Sequence, residues 1–347
     1  MNRVVHVALN RYCLLAALVC ALGCGGSSEP ELDVAAEISS VDVVIGNVDA
    51  LPGTQDSALI DLPWTEVEAV DLGSSEETLV APETVTFPDV PPDPLDQDND
   101  SIPDAFDPFP NDGIRPGTGS AMSVYMHTAS TLWKLDVKSH AISLIGDFEW
   151  PAWEGGEMTD IAMDRWGVLY GVTFDDIYTC HPQTVECWKL GALPDSFNGL
   201  TMVPQGVIDP DQDVLVGISG DGGWYRLDMA NGTVNATKLG SFDGPYSSSG
   251  DAYSIVGAGT YAAANKDWEW DDVLVELNPA TGQVIKEVGP LSGYGSVFGL
   301  AGWTGKAFAF DEGGDIVILD TSTGKVLEVL QETNEQWWGA GVRTLIF

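Results

Sequence analysis

The chain has 347 residues, and its 53 acidic side chains outnumber its 14 basic ones, for a net charge of −39. So negative a balance excludes nucleic acid and anionic membrane surfaces as partners, because both are held through Lys and Arg. It suits a self-repelling extracellular protein or one that handles cations. The length fits two domains, or one large domain and a tail.

At the N-terminus, Arg3 and Arg11 precede an apolar run from Tyr12 to Leu22, too short to span a bilayer. This reads as an export signal over residues 1–23. It closes on Ala21-Leu22-Gly23-Cys24 and is followed by Gly25-Gly26-Ser27-Ser28. The stretch resembles the lipobox of bacterial lipoproteins. That resemblance implies a lipidated Cys24 as the new N-terminus, tethered by the polar segment behind it. Gly25 stands where the family's inner-membrane members carry Asp, which implies the outer membrane or cell surface. The alternative is an ordinary cleaved signal with an incidental cysteine.

Residues 24–92 are rich in Glu, Asp, Pro, Ser and Ala, and are expected to form a disordered acidic tether held extended by its own charge. Residues 93–117 come next, with carboxylates in register. With Asp96 as position 1, Asp98, Asp100, Asp104 and Asp107 fall at 3, 5, 9 and 12, and the Ile102 carbonyl at 7. That is the oxygen-ligand spacing of a calcium loop, and carboxylates so close repel unless a hard divalent cation neutralises them. The stretch resembles thrombospondin type 3 repeats, which implies Ca2+ as the bound ion. Two departures stand out: Ser101 occupies the family's glycine position, and there is a single copy. The alternative is a metal-free acidic linker. As a segment apart, it is expected to loosen on chelation while residues 118–347 stay folded.

Residues 118–347 are repeats. A two-strand hairpin is written five times, most clearly as VILDTSTGKVLEVL from Val317, with Gly324 as its positive-φ turn residue. The turns open at Asp136, His181, Asp228, Asn278 and Asp320, at intervals of 45, 47, 50 and 42 residues. This is the period of a four-stranded propeller blade. Two strands precede each later hairpin: Thr159–Met163 and Val168–Thr173, Gly199–Val203 and Val214–Ile218, Ala252–Val256 and Thr260–Ala263, Gly299–Trp303 and Lys306–Phe310. The first repeat lacks an inner strand, and Gly341–Ile346 is expected to supply it. The predicted fold is all-β: a five-bladed β-propeller of four-stranded blades, closed by the C-terminal strand. The recurring Leu-Asp-x-x-Thr-Gly hairpin and the Leu-Tyr-Gly strand resemble bacterial secreted propellers of the quinoprotein-like and YVTN kinds, a resemblance that implies a blade and no activity.

Cys180 and Cys187 face each other across the second hairpin; in an exported protein they make a disulfide, or else two packed thiols. The four histidines are scattered, and no nucleophile elbow, zinc motif or phosphate loop occurs in the mature region. Aromatic and polar residues gather instead in the loops that share one propeller face: Trp153, Glu157, Asn198, Trp268, Trp270, Trp337 and Trp338, with Asp160 and Asp251 opening inner strands there. Tryptophans beside carboxylates and amides stack on sugar rings while binding their hydroxyls, or else plug the channel. The leading function is therefore non-catalytic binding of a glycan or protein ligand at the cell surface, with Ca2+ as cofactor and the lipid anchor as the only membrane contact. The alternatives are a propeller enzyme, a lyase or hydrolase on the same face, and a calcium-dependent adhesion module.

Overall fold

The computed structural model describes residues 95–230, 232–330 and 334–346. The signal, Cys24, the 24–92 tether and the start of the acidic segment lie outside the described residues. Among those described there is no helix long and apolar enough to cross a membrane.

Among the described residues twenty strands form sheets that are antiparallel but for one pair. The first sheet holds β1 (Ser123–His127), β2 (Thr131–Asp136) and β3 (Ile142–Asp147). Then come β4 (Asp160–Met163), β5 (Leu169–Val172), β6 (Asp176–Cys180) and β7 (Cys187–Ala192), followed by β8 (Gly199–Val203), β9 (Val214–Ile218), β10 (Gly223–Ala230) and β11 (Thr233–Ser241). A further sheet has β12 (Tyr246–Ile255), β13 (Gly259–Lys266), β14 (Val273–Leu277) and β15 (Val284–Pro290). The last has β16 (Val297–Trp303), β17 (Lys306–Asp311), β18 (Ile316–Asp320) and β19 (Val326–Leu330). Finally β20 (Gly339–Gly341) pairs back onto β1.

The sheets run β20-β1-β2-β3, β12 to β15, β16 to β19, and an eight-stranded order β4-β5-β6-β7-β11-β10-β9-β8. The two halves of the eight-stranded sheet meet through one parallel pair, Thr233 with Ala192. The first strand of each four touches the next in a cycle, β20 to β4, β8, β12, β16 and back to β20. The fold is thus all-β, with repeated antiparallel sheets arranged in the manner of a propeller. Burial follows that order: β4 and β8 are buried throughout, while β3, β15 and β19 are largely open to solvent. Inner strands pack on both faces and so read as near-continuous apolar runs.

The strands lie close to their expected places, and β8 and β9 coincide with them. The closing strand does not. It is Gly339–Gly341, paired as Tyr125 with Gly341, Met126 with Ala340 and His127 with Gly339, rather than Gly341–Ile346. The reason is space: a Cβ on Gly339 would strike the Asp160 carboxylate and the His127 ring, so only glycine fits against these neighbours. The apolar tail that suggested a strand crosses to neighbouring elements instead. Val256 donates its N–H to the Thr344 carbonyl at 2.8 Å, the Thr344 hydroxyl meets Asp213, and Arg343 donates to the Arg165 carbonyl.

The acidic segment packs on the sheets. Ile102, expected to lend only a carbonyl, buries its side chain in one core with Ala162, Val168 and Tyr170. Phe106 stacks on Trp166 at 6.3 Å, Phe109 meets Trp188 edge-on at 5.4 Å, and the Arg115 guanidinium lies over Trp188. The described residues all belong to one compact unit.

Candidate functional site

The acidic loop is wound by its own carboxylates. Asp96 accepts N–H bonds from Asn99 (2.8 Å) and Ser101 (3.1 Å), and Asp100 accepts one from Ile102 (2.8 Å). Asn99 and Ser101 adopt positive φ of 62° and 78°, so Ser101 takes the left-handed conformation that makes glycine the usual residue there. The winding brings one oxygen each of Asp96, Asp98 and Asp100 within 4.8 Å of one another. Both oxygens of Asp98, Oδ2 of Asp100 and Oδ2 of Asp107 are buried without a hydrogen-bond partner. Burial, then the charges of Asp100, Asp98 and Asp104, push Asp107 up to about 6. Burial also raises Asp100, with Asp98 and Asp96 adding to it.

Four buried, partnerless acceptor oxygens on neighbouring carboxyls are what a hard cation satisfies. Asp96, Asp98, Asp100 and Asp107 fit such an ion. Asp104 is turned elsewhere: the Gln97 backbone N–H and side-chain amide donate to its two oxygens at 2.8 and 2.6 Å.

The aromatic residues divide sharply. Trp153, in the β3–β4 loop, and Trp268 and Trp270, in the β13–β14 loop, are almost wholly exposed. Antiparallel order places both loops at the end where the inner strands begin. Trp153 and Trp268 also hold positive φ, 70° and 68°, a conformation bulky residues avoid. Glu157 is exposed nearby in sequence, and the Lys266 ammonium is held by Glu269 (2.9 Å) and Glu287 (3.0 Å). Asn198 is half-buried, its Oδ1 without a partner.

Trp337 is not a surface residue. It is fully buried, donates its indole N–H to the Gly314 carbonyl at 3.1 Å, and meets Trp133 and Phe310 edge-on. It is a core wedge beside β20. Trp338 is half-buried, with its N–H on the His127 carbonyl at 2.9 Å.

Asp160 and Asp251, expected at the ligand face, are likewise fully buried. Their carboxyls are in hydrogen-bond contact with each other. Asp160 also accepts from Ile161 N–H (2.8 Å) and Leu200 N–H (2.6 Å). Asp251 accepts from Ala252 (2.5 Å), Leu300 (2.7 Å) and Ala340 (3.2 Å). The pair therefore ties β4, β8, β12, β16 and β20 together at the centre. Burial above all raises both well above the ordinary carboxylate range, with the Asp251 charge next for Asp160, so the pair holds a proton. His127 sits 3.9 Å from Asp160, donates Nδ1–H to the Thr128 carbonyl, and is pushed down to about 4 by burial. It is a neutral packing residue.

Cys180 and Cys187 are joined as a disulfide across the β6–β7 register pair.

No family model and no curated protein sequence matches the chain. Several solved structures resemble it weakly. The crystal structure of a nidogen/laminin complex shares 13% identity over 65% of this chain and 82% of that chain, with a TM-score of 0.42. Hydrazine synthase of Kuenenia stuttgartiensis shares 12% over 63% of this chain and 66% of that one, at 0.36. The computationally designed Ika8 protein shares 16% over 64% and 63%, at 0.31. Likenesses of this strength say nothing of what the chain binds.

Proposed function

We propose that the chain is a lipid-anchored, non-catalytic binding protein of the bacterial outer membrane or cell surface. Its parts are a Cys24 anchor, an acidic spacer, a calcium-braced loop and a five-bladed propeller of four-stranded blades closed by the C-terminal strand. The cycle of inner-strand contacts and the single residue pair joining the halves of the eight-stranded sheet support that blade count. The free oxygens of Asp98, Asp100 and Asp107 support calcium over a metal-free linker.

The observation that carries the binding role is the trio Trp153, Trp268 and Trp270, standing free of the protein at one end of the sheets. Exposed indoles beside Glu157 and Asp271 match the stacking and hydroxyl recognition of a saccharide ligand. The buried acid pair at the centre, already committed to backbone N–H groups, supports binding over lyase or hydrolase chemistry there.

The test is a glycan-array and pull-down screen of the calcium-loaded full chain, repeated with Trp268→Ala. Losing a stacking ring costs roughly 2 kcal/mol, about thirtyfold in affinity. An unchanged affinity without Trp268, or no ligand retained by folded wild type, removes the aromatic end as the site.

A further inference from the structure

At the end of the sheets opposite the exposed tryptophans lies a cleft of about 470 Å³. One wall is Ala105–Pro108 of the acidic segment; the other comes from the β4–β5, β8–β9 and β10–β11 turns and the strands beside them. It shares Asp107 with the acidic loop and nothing with the aromatic end.

The hydrogen-bonding capacity of this cleft is lopsided. Its two arginines are already engaged: Arg165 with Asp213 and Gln205, Arg226 with Asp209 and Asp228. What remains is a set of carboxyls with the Tyr170 hydroxyl and the Trp166 indole among them. Asp164, 5% exposed, gives only Oδ1 to the N–H groups of Trp166, Gly167 and Val168, leaving Oδ2 without a partner among the described residues. Tyr170, 6% exposed, makes no hydrogen bond through its hydroxyl to any of them. Burial, with the Asp213 charge adding to it, pushes Asp164 up to about 7. Burial raises the Tyr170 hydroxyl too, and Asp164, Asp107 and Asp213 all add to that. Phe106 and Trp166 stack at 20° beside these groups, and Met202, Leu215 and Leu227 supply the apolar part of the lining.

A carboxyl and a phenol, mostly buried but with oxygens facing the cleft, suit a ligand that is rich in donors and positive in charge. An ammonium offers three donors and no acceptor, and aromatic faces attract it further. A sugar hydroxyl needs donors in return, and with the arginines taken the cleft offers, among the described residues, only the Tyr170 O–H and the Trp166 indole N–H, against several carboxylate oxygens. The volume far exceeds that of one water, about 30 Å³, and the apolar lining suits a hydrocarbon stem rather than a bare metal ion. We propose that this cleft binds a small organic cation of the primary-amine class, its ammonium on Asp164 and Tyr170 and its stem along the aromatic and aliphatic wall.

The test is calorimetric titration of the full chain, in excess calcium, with pentylamine and with its uncharged counterpart pentanol. Pentylamine is expected to bind and pentanol to bind at least about tenfold more weakly. Asp164→Asn, which keeps an oxygen for the three turn N–H groups, is expected to weaken the amine about tenfold, and Tyr170→Phe several-fold. Melting curves confirm that each variant is folded, and if Asp164→Asn does not fold, Tyr170→Phe alone decides. The proposal fails if folded wild type takes up no pentylamine, if pentanol binds equally, or if the folded variants bind like wild type. It fails as well if uptake survives Asp164→Asn but vanishes with Asp98→Asn, which places the amine on the acidic loop.

Discussion

Four positions after its opening residue, every hairpin turn places a residue of positive φ: His140 (57°), Val185 (62°), Gly232 (74°), Gly282 (73°) and Gly324 (71°). The opening side chain supports the turn: Asp320 Oδ1 takes the N–H groups of Ser322 (3.0 Å) and Thr323 (2.9 Å), and His181 Nδ1 takes those of Gln183 and Thr184. Glycine tolerates the left-handed turn at no steric cost, whereas β-branched Val185 is held there by its N–H on the His181 carbonyl and by burial. A second residue-scale constraint lies at the centre, where Gly339→Ala drives a methyl into Asp160 and His127. It is expected to cost roughly 2–4 kcal/mol. Gly156→Ala, whose new methyl meets Thr173 at ordinary contact distance, should stay within about 0.5 kcal/mol in the same urea melts.

The buried carboxyls set a pH dependence. Asp160 and Asp251 are raised well above the carboxylate range, Asp164 to about 7 and Asp272 to about 6, in each case by burial first. A raised folded-state value means the folded chain binds more protons than the unfolded one. The stability these groups contribute is then full below about pH 4 and lost as pH rises through their folded values. Urea midpoints are therefore expected to be higher at pH 5 than at pH 7, and Asp251→Asn should flatten that slope. A midpoint that rises from pH 5 to 7 contradicts this assignment.

Among the elements, β20 has an influence out of proportion to its three residues. It pairs with β1, touches β4 and β16, and gives the Ala340 N–H to Asp251. Deleting residues 338–347 strips β1 of its inner partner and removes the Thr344–Asp213 and Arg343–Arg165 ties. An exposed sheet edge in an otherwise paired core is expected to abolish cooperative melting, read by circular dichroism. A truncated chain with an unchanged melting curve contradicts a closing role for β20.

For the whole molecule, the packing of the acidic segment changes what cation removal should do. The spacing of Asp96 to Asp107 suggested a loop that loosens alone. Ile102 lies instead in the core with Val168 and Tyr170, and Phe106 and Phe109 lie on Trp166 and Trp188. A cation that braces the loop therefore stabilises the sheets, by about 2.7 kcal/mol at a hundred times its Kd. Scanning calorimetry with calcium and with chelator is expected to show one transition that moves, and Asp98→Asn should remove the difference. A calcium-insensitive main transition contradicts the coupling.

What the sequence determined by itself was periodic. The hairpin repeat, the strand order and the acidic spacing are local patterns, and local patterns are set by turn chemistry and by alternation along a strand. The tertiary structure decided which of those residues face anything. Trp337, Asp160 and Asp251 carry the same signature as Trp268: an aromatic or acidic side chain at a strand end or in a loop. Asp160 and Asp251 are buried where three glycines, Gly199, Gly299 and Gly339, let the inner strands approach closely, and Trp337 is buried against Trp133 and Phe310. Trp268 and Trp270 remain outside because their loop extends beyond the sheets. The cleft between the acidic segment and the β4–β5 turn has no sequence signature, since its walls come from segments some 60 to 120 residues apart that meet only when Ile102 enters the core.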